Sequence, residues 1–164
     1  MKTIIATALA LALSSSAFAA DLTPFPVTPA LWADAHGLVG KTCPKLFNTG
    51  GNAFPGYTVP NGFVTVTLGD AWVFPMEKSG ARFAFLITGL GDKGCKVEDV
   101  VALPDAAHAN AWFQCHARET LTEGFGLRLS GHKEIVGWWT VDAGKLKRLP
   151  DDGKVICQQP ETGD

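Results

Sequence analysis

The chain has 164 residues, with 14 basic and 16 acidic side chains, a formal charge of −2 and 46% apolar residues. A charge this close to neutral excludes a nucleic-acid binder held by bulk electrostatics, and the composition is that of a globular domain, not a disordered chain or a coiled coil. No apolar stretch reaches the roughly 20 residues of a membrane-spanning helix, so membrane insertion of the finished protein is not expected.

The one apolar run lies at the start. Lys2 provides a positive charge, Ile4–Leu13 an apolar segment, and Ala17-Phe18-Ala19 the small-x-small pattern read by signal peptidase. The expected organisation is a signal peptide over residues 1–19 and one exported β-rich domain over residues 20–164, with a charge of −3 once Lys2 is lost. No Cys follows the cleavage position, so a lipid anchor is not expected. The short, Ala-rich leader points to a periplasmic or secreted bacterial protein.

Residues 21–29 carry three prolines and read as an extended lead-in. Thr28-Pro29 then reads as the N-cap and first position of a short helix, with Leu31, Trp32 and Ala35 at helical spacing and Gly37 at its end. Pro44–Gly62 is rich in Gly and Pro and reads as a long irregular loop. Strand patterns follow: Phe63–Leu68, then Trp72, Phe74 and Met76 in alternation, with Gly69-Asp70 between them as a Gly-first hairpin turn. Glu77–Gly80 turns the chain into Arg82–Thr88, where Phe83, Phe85 and Ile87 share a face, and Gly89–Gly94 is a further turn. Lys96–Leu103 reads as a strand, although Val97, Val100 and Val101 also fit a helical stripe. Asp105–Glu119 fits either state: Ala109, Trp112, Phe113 and His116 have helical spacing, while a strand would turn Phe113, Cys115 and Ala117 inward. Phe125–Ser130, Glu134–Asp142 and Lys145–Leu149 complete the strands. The fold class expected is mainly β (α+β): an antiparallel sheet or small barrel of about six to eight strands with a short N-terminal helix, stapled by two disulfides.

Four cysteines, Cys43, Cys95, Cys115 and Cys157, form no C-x-x-C pair, and in an oxidising compartment they read as two structural disulfides. Of the three pairings, Cys95–Cys115 with Cys43–Cys157 is favoured, since it would join neighbouring segments and staple the domain's ends.

No local motif announces catalysis. The four histidines, His36, His108, His116 and His132, have no metal-ligand spacing, and neither a metal nor a cofactor is expected. A Gly-x-Ser-x-Gly nucleophile elbow is absent from the sequence, and Gly89–Gly94 lacks the Lys-Ser/Thr ending of a phosphate loop. The adjacent Trp138 and Trp139 must point to opposite faces of a strand, so at least one leaves the face that packs the core unless the N-terminal helix or the Pro44–Gly62 loop covers the second side; an exposed one would offer a contact for a protein or glycan.

Ser79-Gly80-Ala81-Arg82-Phe83 resembles the Ser-Gly-Ala-Arg/Lys-Tyr run of small periplasmic inhibitors of c-type lysozyme, which are disulfide-bearing β-barrels. The resemblance covers five residues, has Phe83 where the family shows Tyr, and lacks a counterpart of the family's second motif. It implies that Ser79 and Arg82 contact a partner. The function expected is therefore a non-catalytic binding or inhibitor domain for an extracytoplasmic protein or glycan, with Trp138, Trp139, Ser79 and Arg82 as contacts. The alternative is a small hydrolase using His116 or His132 as general base with Asp99 or Glu119 as partner.

Overall fold

A computed structural model describes residues 27–43, 54–60, 65–89, 94–103, 109–129, 135–150 and 154–158. The expected signal peptide, His108, His132 and much of the Pro44–Gly62 loop lie outside these residues. The described chain forms one helix, α1 (Pro29–His36), and ten strands: β1 (Thr42–Cys43), β2 (Val66–Leu68), β3 (Ala71–Lys78), β4 (Ala81–Thr88), β5 (Cys95–Ala102), β6 (Ala109–Ala117), β7 (Glu123–Leu129), β8 (Ile135–Asp142), β9 (Lys145–Leu149) and β10 (Val155–Gln158).

The helix starts where its chemistry directs. The Thr28 hydroxyl accepts from the Leu31 N–H at 3.2 Å, and Pro29 occupies the first turn, where no donor is needed. Gly37 closes the last turn by donating its N–H to the Ala33 carbonyl at 2.9 Å.

The strands form two antiparallel five-stranded sheets, ordered β1-β5-β4-β3-β2 and β10-β6-β7-β8-β9. They are stacked sheets with free edges, not a closed barrel. Each is a four-strand meander flanked by a short strand from elsewhere in the chain. Two-residue turns set the hairpin registers: Gly69 alone has a positive φ in the β2–β3 turn, as a Gly-first turn requires. The β3–β4 and β8–β9 turns instead put both central residues, Ser79-Gly80 and Ala143-Gly144, in the left-handed region.

Three apolar clusters hold the layers. Val66, Val73, Ala84 and Leu86 of the first sheet meet Phe125, Leu127, Trp139 and Leu146 of the second between the sheets. On the far face of the first sheet, Phe74, Met76, Phe83, Phe85 and Ile87 are covered by Ala35 of α1 and by Phe54 and Tyr57. A third, small cluster on the far face of the second sheet joins Trp138 to Cys115, Ile135, Leu149 and Cys157. Strand β4 is therefore buried on both faces, and its alternating Phe/Ile and Ala/Leu side chains serve two different cores.

Among the described residues both ambiguous stretches form strands, Cys95–Ala102 and Ala109–Ala117, and each contains a register shift. Between β4 and β5 the register shifts so that Leu86 faces Asp99 while Ile87 faces Val97, leaving Glu98 as the extra residue. Val97 and Val100 consequently share one face at a spacing of three, while Val101 packs towards the other. The apparent helical stripe is a strand with one inserted residue. A second register shift lies between Ala109 and Ala111 in β6.

The favoured disulfide pairing is corrected. Cys43 bonds Cys95 and Cys115 bonds Cys157, and in each pair the two residues are direct register partners, across β1–β5 and β10–β6. Cys95 and Cys115 are close in sequence but sit in different sheets, because the chain crosses between layers after β5. Each bridge thus fastens a short flanking strand to its own meander.

Candidate functional site

Asp99 joins the two sheets. The bulge at Glu98 turns the Asp99 side chain towards the second sheet, where its Oδ2 accepts from the Leu146 N–H at 2.7 Å and its Oδ1 lies 3.4 Å from Lys145 Nζ. A buried carboxylate between two layers needs such partners, and here the backbone of β9 supplies the closer one. Glu119 pairs with Lys154 at 2.9 Å. In the second sheet β9 lies three strands away from β6, about 14 Å at the usual strand spacing, so Asp99 is not placed to serve His116.

A different carboxylate, that of Glu123, stands on the register partner of His116. On the face of the second sheet that turns towards the first, two rows run across β10, β6 and β7: Gln158–Gln114–Phe125 and Ile156–His116–Glu123. Phe125 is fully buried and stacks on Trp139 at 5.1 Å between ring centroids, so the first row ends in the core, whereas Glu123 at the end of the second is exposed. Towards β10 the rows emerge into solvent, where Gln114, Gln158 and Ile156 are all exposed. Gln114, His116, Leu121, Glu123 and Gln158 line a shallow cleft of about 260 Å³ there. Direct register partners of this kind place Cβ atoms about 4.5–5.5 Å apart, close enough for two neighbouring side chains to share one ligand.

Below this face the Cys115–Cys157 bond lies on the opposite side of the same two strands. Gln114 and His116 flank Cys115, and Ile156 and Gln158 flank Cys157. The covalent link therefore fixes the register that aligns both rows. Flat packing under the bond requires glycine: a Cβ at Gly126 would lie 2.6 Å from the Cys115 sulfur, and one at Gly124 would lie 2.9 Å from the Trp138 ring.

The tryptophan expectation is corrected. Trp138 and Trp139 are each only 3% exposed. They do point to opposite faces, but both faces are covered: Trp139 lies between the sheets, and Trp138 lies under the disulfide cluster with its indole N–H donating to the Pro150 carbonyl at 3.2 Å. Neither offers an accessible contact surface. Among the described residues the exposed tryptophans are Trp32 and Trp72, the former tilted against the His36 ring at 5.6 Å between centroids.

Ser79 stands at the exposed tip of the β3–β4 hairpin with φ 51°. Arg82 is turned back along the hairpin, its Nε donating to Glu77 Oε2 at 2.8 Å. Beside that hairpin, Asp34 of α1 accepts from the Tyr57 hydroxyl at 2.7 Å and from Lys78 Nζ at 2.6 Å. The Lys78 and Tyr57 donors hold the Asp34 carboxyl below its ordinary range, while burial and then the Asp34 hydrogen bond push the Tyr57 phenol well above its own. This triad ties helix, loop and sheet together.

Among the described residues no group of three or more His, Cys, Asp or Glu side chains could hold a metal ion, and no helix is long and apolar enough to cross a membrane. The strand reading of 105–119 already separated Gln114 and His116 from Cys115; their alignment with Glu123 and Gln158 required the pairing of three strands. No protein-family model, curated protein or solved structure matches the chain. The resemblance to lysozyme inhibitors therefore stays confined to five residues of one hairpin, on a fold whose sheets are not closed.

Proposed function

We propose that this protein is an exported, non-catalytic binding domain that recognises a partner outside the cytoplasm. The observation that carries the reading is the cleft beside β10. Its side chains are recognition groups, two amides, an imidazole and a carboxylate, fixed on a sheet and backed by a covalent bond. Its described lining contains no hydroxyl or free thiol to act as a nucleophile. Two disulfides on a β-rich chain fit an oxidising, extracytoplasmic compartment. The exposed hairpin tip at Ser79, with Arg82 behind it, is a second contact surface in this reading.

Capture from an extracytoplasmic extract with the purified, oxidised protein tests it. A specific partner that is retained by the wild type and lost with Glu123→Gln supports the reading; recovery of background alone opposes it. The hydrolase alternative draws on one observation, the cross-strand pairing of His116 with Glu123. Turnover of a bound partner that disappears with His116→Gln would favour it over simple binding.

A further inference from the structure

Resting on that binding reading, we propose that the cleft formed by Gln114, His116, Leu121, Glu123 and Gln158 takes one ring of a neutral saccharide. Size sets the first limit: small-molecule pockets commonly enclose about 300–1,000 Å³. At about 260 Å³ the cleft has room for a single ring and little more.

The polar groups set the second. Each glutamine amide brings two donors and an acceptor, a neutral imidazole one of each, and the carboxylate accepts only. A row of sugar hydroxyls, each able to donate and to accept, matches such a mixed set. Among the described residues no Lys or Arg lines the cleft, and the Glu123 carboxylate would repel a phosphate, sulfate or carboxylate group.

Leu121 supplies an independent observation. It is 71% exposed and held at φ 54° in the turn between β6 and β7. The left-handed conformation costs a residue with a Cβ about 1–2 kcal/mol, and a turn built only for stability would carry Gly or Asn there. Leucine at this position instead projects an apolar wall beside a polar floor. A saccharide ring presents that same pairing, a C–H face and a rim of hydroxyls. The Cys115–Cys157 bond and the sheet hold the floor before any ligand arrives, which lowers the entropy lost on binding.

The test is a titration of the oxidised, isotope-labelled protein followed by amide chemical shifts. The probes are neutral di- and trisaccharides of glucose, mannose, galactose and N-acetylglucosamine, with glucose 6-phosphate and a neutral hexapeptide as comparators. At least one neutral saccharide is expected to shift residues 114–116, 121–123 and 156–158. Glu123→Gln and Gln158→Ala should each weaken its binding about tenfold. Leu121→Gly should raise thermal stability while weakening binding about fivefold, an opposition that a purely structural leucine would not produce. Lys147→Ala, on the surface of β9, should change nothing. Preference for the phosphate or the peptide, shifts elsewhere, or no response to any neutral saccharide would overturn the proposal. A captured protein partner lost with Glu123→Gln, without saccharide binding, would overturn the saccharide while leaving the binding domain standing; failure of both would remove both.

Discussion

Cys157 lies directly opposite Cys115, Cα to Cα at 4.0 Å, and the bond between them holds Gln158 opposite Gln114 on the other face of the sheet. The partners are separated by 42 residues, and Cys43 and Cys95 by 52. Closing loops of that length restricts the unfolded chain by about 4 kcal/mol per bridge. Replacing Cys115 and Cys157 together by serine is expected to cost about 2–5 kcal/mol in denaturant unfolding. The cleft should loosen with it, seen as broadened amide signals at Gln114 and Gln158.

Gly124 leaves no room for a side chain. A Cβ there would press on the Trp139 carbonyl as well as the Trp138 ring, and neither the backbone nor an indole wedged beneath the disulfide can yield cheaply. Gly124→Ala should destabilise the protein by about 2–3 kcal/mol, measured as a lower denaturant midpoint at unchanged slope.

The Ala143-Gly144 turn offers the opposite effect. Ala143 has φ 49°, a conformation that asparagine tolerates far better, and Asn-Gly is the preferred sequence for such a hairpin. A143N should raise stability by about 0.5–1 kcal/mol, visible as a higher melting temperature.

Asp99 and Leu146 form the buried link between the sheets. Asp99→Ala leaves the Leu146 N–H without its acceptor and should cost about 1–3 kcal/mol. Lys145→Ala removes only an exposed ammonium 3.4 Å from the same carboxylate and should cost less than about 1 kcal/mol. Similar losses in the two variants would contradict the assignment of the backbone bond as the dominant one.

Tyr57 is the only tyrosine in the chain, so tyrosinate absorbance reports it alone. Burial and the Asp34 hydrogen bond raise its pKa in the fold. Its contribution is therefore complete below the ordinary phenol value of 10.0 and is lost as pH rises through the folded value. Asp34 works in the other direction: its lowered pKa stabilises the fold above 3.8 and the effect fades as pH falls through the folded value. An absorbance titration should show no tyrosinate near pH 10 in the folded protein, with alkaline ionisation accompanying unfolding. Asp34→Asn should flatten the acid limb of the stability profile.

Local patterns in the sequence determined the helix, its cap, the Gly-first turn and most strand positions, because each follows from neighbouring residues: Thr28 before Pro29, Gly69 between two alternating runs. They also fixed that Trp138 and Trp139 face opposite ways. Whether either met solvent depended on what covered each face, and only the stacking of the sheets and the Cys115–Cys157 cluster decided that both are buried. The bulge at Glu98 misled for a related reason: one inserted residue gives Val97 and Val100 a helical spacing, and a bulge exists only relative to a partner strand. Disulfide pairing followed sheet membership, not distance along the chain. The cleft is the furthest from local reading, since Gln114, Glu123 and Gln158 become neighbours through the register of three strands, and register is set by non-local contacts.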